Sequence, residues 1–537
     1  MTRPLGGDMA SFDGIIIGGG HNGLTCAAYL ARAGLRVAVV EANQKIGGGS
    51  ITEEVTLPGF KHNLHSNFHL FSDGPIGADL ELHRYGLQYV YPEVQDGMAF
   101  RDGTAVCIYR DPERTAQSFA RFSKGDADRW RELHENFAVR ARRFVLQTLY
   151  SLPLSPPDLA QRVTGPLGQD MVSYGQLSLY EAVDKNFEDE RIRCLFKTFL
   201  HSITLMNLPN LGSFFPRLVS CLVTFGLPKG GANALPRALG RVIEEAGGTL
   251  VTGQRVEEIL VEGGRARGIR VAGGDVLRAD RFVASGVDVV QTVRMAGQEH
   301  FGREVSERVE NLQWSKHSLV TIHVALNDPP QYRAAEFDPD INRAYNIAFG
   351  VADSDDLAQV FHGFIDQGRL PQRFHGNGAC NTLFDPSYAP PGKHTAFWWP
   401  FAPYRLEGNP ENWDQRRDEV TRELLSQWRE FAPNMMEDNV LGTYLFTPVD
   451  IERSCINMRE GSHHGIAYLP TQLGVNRPVP ELSGYRTPVE GLYLCGFTSH
   501  SGGAITGSPG YNCANVISDD LDVPPWWTPV PEPSWAE

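Results

Sequence analysis

A chain of 537 residues is long enough for two or three domains with full-sized cores. Its hydrophobic content of 42% and charged content of 21% are ordinary for a globular protein. The net charge of −15 argues against nucleic acid as a partner, because phosphate binding needs a basic face. The eight cysteines are scattered and show no CxxC. They point to neither a zinc ribbon nor a redox dithiol, and a reducing, cytoplasmic compartment is the simpler reading. Met1 to Phe12 lacks the apolar core of a signal peptide. No segment approaches the ~20 apolar residues of a transmembrane helix; the nearest, Leu211 to Leu227, is broken by Pro216 and Arg217.

Taken in order, the first element is Gly14 to Ile17, a short β-branched run that reads as a buried strand. It leads into Gly18-Gly19-Gly20-His21-Asn22-Gly23, a GxGxxG. A helical pattern follows in Leu24, Ala27, Ala28, Leu30 and Ala31, with Gly34 as its stop, and a second strand, Val37 to Val40, ends in Glu41. Gly18 permits the tight turn, Gly20 lets the backbone approach a pyrophosphate, and Gly23 lets the helix pack on the strand. The helix N-terminus supplies free N–H groups and a positive dipole end. Glu41 stands about 20 residues on, where a carboxylate accepts hydrogen bonds from a ribose diol. A 2′-phosphate would be repelled there, so FAD or NAD fits better than NADP.

Lys45 to Ser50 carries a glycine doublet, Gly47-Gly48, followed by Gly49. Plain NAD binding leaves it unexplained. A chain passing along a larger dinucleotide toward a flavin ring explains it. His62, His65 and His69 have spacing that could serve a metal, but no nearby Asp, Glu or Cys completes a ligand set. Packing or flavin-side roles are expected instead.

From about 75 to 224 the pattern is mostly helical. Trp130, Leu133, Phe137, Ala141 and Phe144 recur at helical spacing among Arg129, Arg131, Arg140, Arg142 and Arg143. A solvated helix face is the favoured reading; peripheral contact with anionic lipid is the alternative. Leu205 to Leu227 suits either the wall of an apolar cavity or ordinary core. A helix, Leu235 to Glu245, then precedes strands at Thr249–Thr252, Gln254–Val261, Ala266–Val271 and Asp280–Ala284, as if the nucleotide domain resumes. Val256 could hold an adenine through its backbone. Beyond 290, His317 to Ala325 and Thr395 to Phe401 read as strands, and Val420, Leu424, Trp428 and Phe431 as one helix face. The tail Val523 to Glu537 is extended; its Trp526-Trp527 pair either packs on the body or meets a partner or membrane interface.

The last motif, Gly491 to Asn512, reads as strand, glycine loop and helix. A helix N-terminus there would favour the negative charge that develops at the N1–C2=O edge of a reduced flavin. No second strand–GxGxxG–helix unit exists for a separate NAD(P)H domain.

With both ends in view, the chain resembles the phytoene desaturase and carotenoid isomerase branch of FAD-dependent amine-oxidase-like enzymes, within the phytoene-dehydrogenase-related group. The resemblance rests on Gly18 to Glu41, Gly47-Gly48, Pro228-Lys229-Gly230-Gly231, the helix after Trp413, Gln472 to Pro478, and Tyr485 to Gly510. It implies an α/β architecture: a doubly wound, Rossmann-type FAD domain interrupted by a mixed α+β substrate domain. The expected division is 10–74, 225–295 and 485–522 for FAD, 75–224 and 296–484 for substrate, and 523–537 as tail. In two places the chain departs from the family. Gly49 stands where an Arg is common, and Ser499-His500-Ser501-Gly502-Gly503 replaces Thr-His-Pro-Gly-Gly, so that His500 matches the motif histidine.

The cofactor set expected from these motifs is Gly18, Gly20, His21, Asn22, Gly23, Glu41, Ala42, Gly47, Gly48, Gly49, Ser50, Val256, Gly496, Gly503 and Ala504. Three functions compete. The first is hydride transfer from a hydrophobic substrate (isoprenoid, polyene-like or small alicyclic) to flavin N5. A base among His500, His65, His69 and Tyr511 would remove a neighbouring proton, and the electrons would pass to oxygen, a quinone or another diffusible acceptor. The second is a redox-neutral isomerase or hydratase using reduced FAD. The third is a non-enzymatic interaction protein stabilised by flavin.

Overall fold

A computed structural model describes residues 11–203 and 205–534. Expectations for residues 1–10 and 535–537, and for the side chain of Phe137, lie outside the described residues.

In the first strand, Ser11–Ile17, the second half Gly14–Ile17 is apolar and buried because it lies in the middle of a sheet covered on both faces. On one side it pairs in parallel with Val37–Glu41, which pairs in parallel with Thr249–Thr252. On the other side it pairs in parallel with Val276–Ser285, and that strand with Leu492–Leu494. An antiparallel meander, Val256–Glu262 and Arg265–Val271, extends the edge. The helices His21–Arg32, Ala234–Glu245 and Ser508–Asp520 share one apolar core on this sheet; Val289–Ala296 helps cover the other face.

A second sheet runs Val440–Phe446, Thr321–Leu326, His394–Pro403, Gly376–Ala379, Asn346–Phe349, Val94–Ala99 and Ala105–Tyr109. Its first face carries the helix Asn412–Phe431, whose Trp413, Val420, Leu424, Trp428 and Phe431 are buried as their spacing requires. The stretch 75–224 is mostly helical, as its pattern suggests, but two strands of this sheet also lie within it. Val94–Ala99 reads VQDGMA, yet all six residues are buried. Asp96 is tolerated because the Asn346 side chain donates to it at 2.9 Å across the parallel pair. That partner lies 250 residues away in sequence, so no local pattern announces the strand.

The basic stretch is spent largely on intramolecular pairs. Arg129 donates to Asn186 and Glu132, Arg131 to Glu113 and Asp128, and Arg142 to Asp73. At those three positions the charge that a lipid surface would need is already matched. The tail packs on the body. Trp526 stacks on Tyr29 and donates to its carbonyl, Trp527 donates to Asn515, and the Val530 N–H donates to the Tyr511 hydroxyl. Among the described residues no helix is long and apolar enough to cross a membrane.

At Gly23 the helix His21–Arg32 meets its strand with no room for a side chain. A Cβ there would lie 2.4 Å from the Gly18 carbonyl oxygen. Backbone cannot give way as a flexible side chain can, so Gly23→Ala should cost about 1–3 kcal/mol. The check is a lower urea midpoint at unchanged m-value.

Candidate active site

The turn between the first strand and its helix is built by Gly18, held at φ +92°, which only glycine adopts without strain. The helix then starts at His21 with Gly20 as its cap and no side chain closing the end, so its first N–H groups remain available to a ligand. Open space lies over Gly20, where a Cβ would meet nothing within 4 Å. The glycine doublet is packed directly beneath. Gly47 N–H donates to the Gly19 carbonyl at 2.8 Å, and a Cβ on Gly48 would sit 3.1 Å from the Gly20 Cα. Gly49, at the position where the family often has Arg, faces Met458.

Glu41 ends the second strand, buried, with one carboxylate oxygen accepting Gly19 N–H at 2.7 Å and the other accepting Asn43 N–H at 2.8 Å. Each oxygen keeps a second lone pair for a ribose hydroxyl. Ala42 beside it is exposed. Gly253 and Gln254 donate to the carbonyls of Asn43 and Glu41, which brings the segment leading to Val256 alongside this acid. Ser50 is fully buried nearby. Three buried polar atoms here, His21 Nε2, Asn22 Oδ1 and Ser50 Oγ, have no partner among the described residues. With the open glycine cradle, they fit a dinucleotide that supplies the missing hydrogen bonds.

These elements open onto a cavity of about 220 Å³. One end is lined by Gly20, His21, Asn22, Gly23, Gly48 and Gly49, with Gly503, Ala504 and Ile505 opposite. Gly503 N–H donates to the Tyr468 hydroxyl at 3.0 Å, and Ala504 takes a positive φ of 85°. The wall here is this loop; Ser508, where the following helix begins, is buried behind it. Gly496 is packed against the carbonyls of Gly286 and Val287. The other end is apolar: Phe68, Phe199, Ile203, Phe214, Leu218, Leu222, Phe225, Leu319 and Trp399. Of the two readings of Leu205 to Leu227, cavity wall or core, both apply, since one side of the helix Phe214–Cys221 lines the cavity and the other joins the core.

Of the four candidate bases only His65 lines this cavity; its Nε2 pairs with Ser454 Oγ at 2.9 Å. The other three need correction. His500 lies outside the lining with Nε2 on the Thr148 carbonyl at 2.9 Å. His69 is turned to Tyr89 and Ser66, and Tyr511 is fully buried beneath the tail, in edge contact with Tyr29. His62 goes elsewhere again, to Thr56, so the three clustered histidines do not converge.

The sequence reading missed His463 and His464, which line the cavity with rings 4.4 Å apart, and Asn346 and Asn377, which line it too. Their segments carry no motif, so spacing held no signal for them. It also missed Arg477, whose guanidinium is wholly buried and donates to the carbonyls of Ser499, Phe497, Ile466 and Gln472. That residue clamps the glycine loop and stacks over Tyr468 at 4.9 Å.

Burial holds the cavity histidines neutral. His21 and His463 are pushed down to about 4 and His65 to about 3, and His464 falls well below its ordinary value. The unfolded chain takes up these protons near the ordinary value of about 6.5. Stability is therefore complete above about pH 6.5 and falls as pH drops from there toward 4, by up to ~1.4 kcal/mol per pH unit for each histidine. Urea midpoints should step down from pH 7 to 6 to 5; an unchanged midpoint would contradict neutral burial.

Residues 23–507 match the family of flavin containing amine oxidoreductases. A limonene dehydrogenase component from Castellaniella defragrans is 30% identical over 545 residues, covering 96% of each chain. A lycopene-forming phytoene desaturase of Pseudescherichia vulneris is 25% identical over 529 residues, covering 94% of this chain and 99% of its own. An oxidoreductase of known structure from Methanosarcina mazei has the same fold, with a TM-score of 0.59 at 19% identity, covering 95% of this chain and 100% of that one. The glycine turn, buried Glu41 and two-sheet architecture agree with these matches: the chain belongs to the flavin containing amine oxidoreductase family and is an FAD-dependent oxidoreductase of phytoene desaturase-like type.

Proposed function

We propose that the enzyme oxidises a hydrophobic substrate by removing a hydride from one carbon and a proton from its neighbour, leaving a carbon–carbon double bond. The observation that carries this is the shape of the cavity, where the dinucleotide cradle at Gly20–Gly23 and Gly503–Ala504 faces a wall of aliphatic and aromatic side chains. The relatives named for limonene and phytoene support the same substrate class. Bound FAD supplies the hydride acceptor.

In this reading Gly18, Gly20, His21, Asn22 and Gly23 hold the pyrophosphate, and Glu41 with Ala42 the ribose. The Val256 backbone holds the adenine. Gly47, Gly48, Gly49 and Ser50 line the path toward the flavin, and Gly496, Gly503 and Ala504 bound its ring. The first sheet draws its strands from 11–41, 249–285 and 492–494. That supports an FAD domain of 10–74, 225–295 and 485–522 enclosing a substrate domain of 75–224 and 296–484.

The cavity histidines are weak bases, held neutral by burial. A weak base suffices when the hydride leaves first, because the resulting cationic substrate makes the neighbouring C–H acidic. His65 is then the proton acceptor, with Ser454 orienting its ring. The two electrons pass on to oxygen, a quinone or another diffusible acceptor.

The purified protein should be yellow, should bleach slowly with NADH or NADPH under anaerobic conditions, and after dithionite reduction should reoxidise quickly with oxygen or a quinone. Rapid bleaching by NADH would overturn net oxidation in favour of redox-neutral or reductive chemistry.

Glu41→Gln replaces one of its two N–H-accepting oxygens by an NH2 that can only donate. FAD affinity should fall about tenfold or more. Flavin retained after gel filtration reports it, and unchanged retention would remove Glu41 from the cofactor site.

A further inference from the structure

Arg217 stands out among the cations near the cavity. It projects from the helix Phe214–Cys221 into the cavity lining, half-buried, beside Phe214 and Leu218. Among the described residues its guanidinium has no carboxylate, carbonyl or hydroxyl acceptor, and it lies 5.8 Å from the centre of the Phe214 ring. Other arginines of the region are satisfied. Arg477 has four carbonyls, and Arg142 has Asp73, whose second oxygen is taken by Thr224.

A guanidinium is always charged and presents five donors in a fork that matches a carboxylate. Holding it unpaired against an apolar wall is unfavourable. The imidazoles that share the cavity, His21, His65, His463 and His464, add no positive charge, so Arg217 is the one positive charge among the described lining residues to be matched. One negative charge balances it. A phosphate monoester, carrying roughly −1.5 to −2 near neutral pH, would be left under-neutralised.

We propose that the substrate is a hydrophobic carboxylic acid, whose carboxylate pairs with Arg217 while its hydrocarbon body lies along Phe199, Phe214, Leu218 and Leu222 toward the glycine cradle. The pairing fixes which carbon of the body reaches the cradle, so Arg217 sets regiochemistry as well as affinity. This deepens the reading of the cavity as a substrate site and rests on it.

The test uses the flavin-loaded protein with two probes of equal chain length, decanoate and 1-decanol, followed anaerobically by the visible flavin band and by calorimetry. Decanoate should bind at least tenfold more tightly than decanol. Arg217→Met should abolish that preference while leaving decanol affinity and flavin content unchanged, and Arg217→Lys should keep part of it. Equal binding of both probes to the unaltered protein, a comparison that needs no variant, would overturn the carboxylate assignment and leave the hydrophobic cavity standing. Binding of neither probe would overturn both readings. Loss of flavin from a folded Arg217→Met protein would assign the charge to the cofactor and overturn the proposal.

Discussion

The helix His21–Arg32 is pressed between two backbones. On one side the Gly18 carbonyl lies 2.4 Å from where a Cβ of residue 23 would be, and on the other a Cβ at Gly510 would lie 2.0 Å from the Asn22 carbonyl. Two glycines therefore place the helix N-terminus between the first strand and the helix Ser508–Asp520. Because that N-terminus carries the free N–H groups and the dipole, its position decides where an anionic cofactor can lie. Both ends of the chain are needed to set it, which is why the motifs at 18–23 and 491–512 belong to one site.

Around this contact the protein handles polarity in two opposite ways. The glycine loop is clamped by a buried cation, Arg477, that finds only neutral carbonyls. Burial lowers its affinity for the proton to about 10, which still leaves it charged at neutral pH. The histidines instead surrender their charge, since desolvation favours the neutral ring wherever no acid is close. The result is a cavity whose histidines carry no charge of their own. Asp96, behind Asn346, follows the same rule from the acidic side, with burial raising its pKa well above the usual carboxylate range.

The legible parts of the sequence were those where one short segment contains its own explanation. Strand, glycines, helix and acid occur within Ser11–Glu41, and each residue there has a partner less than about a turn or a strand away, so its spacing carries the geometry. The helix Asn412–Phe431 is similarly self-announcing through Val420, Leu424 and Trp428. Strand Gly376–Ala379 is the opposite case. Its sequence, GNGA, has no strand propensity, and it exists because Gly376 and Gly378 let the chain lie against the carbonyls of Trp399 and Phe397. His500 shows the same limit for chemistry. It sits in a cofactor-like motif, yet its ring faces the carbonyl of Thr148 in the helix Val139–Leu149, while His463 and His464, in a stretch without motif, line the cavity.

By itself the sequence determined the nucleotide-binding unit and, through its resemblance to known enzymes, the flavin family. The nucleotide-binding unit follows from local conformational requirements: positive φ at Gly18, absent Cβ at Gly23, apolar periodicity in its strands and helix. Only the tertiary structure decided which polar side chains share the cavity, which histidines are excluded from it, and that Arg217 lacks an acceptor among the described residues. Those outcomes depend on contacts between segments hundreds of residues apart, where side-chain direction is set by packing and no spacing rule along the chain records it.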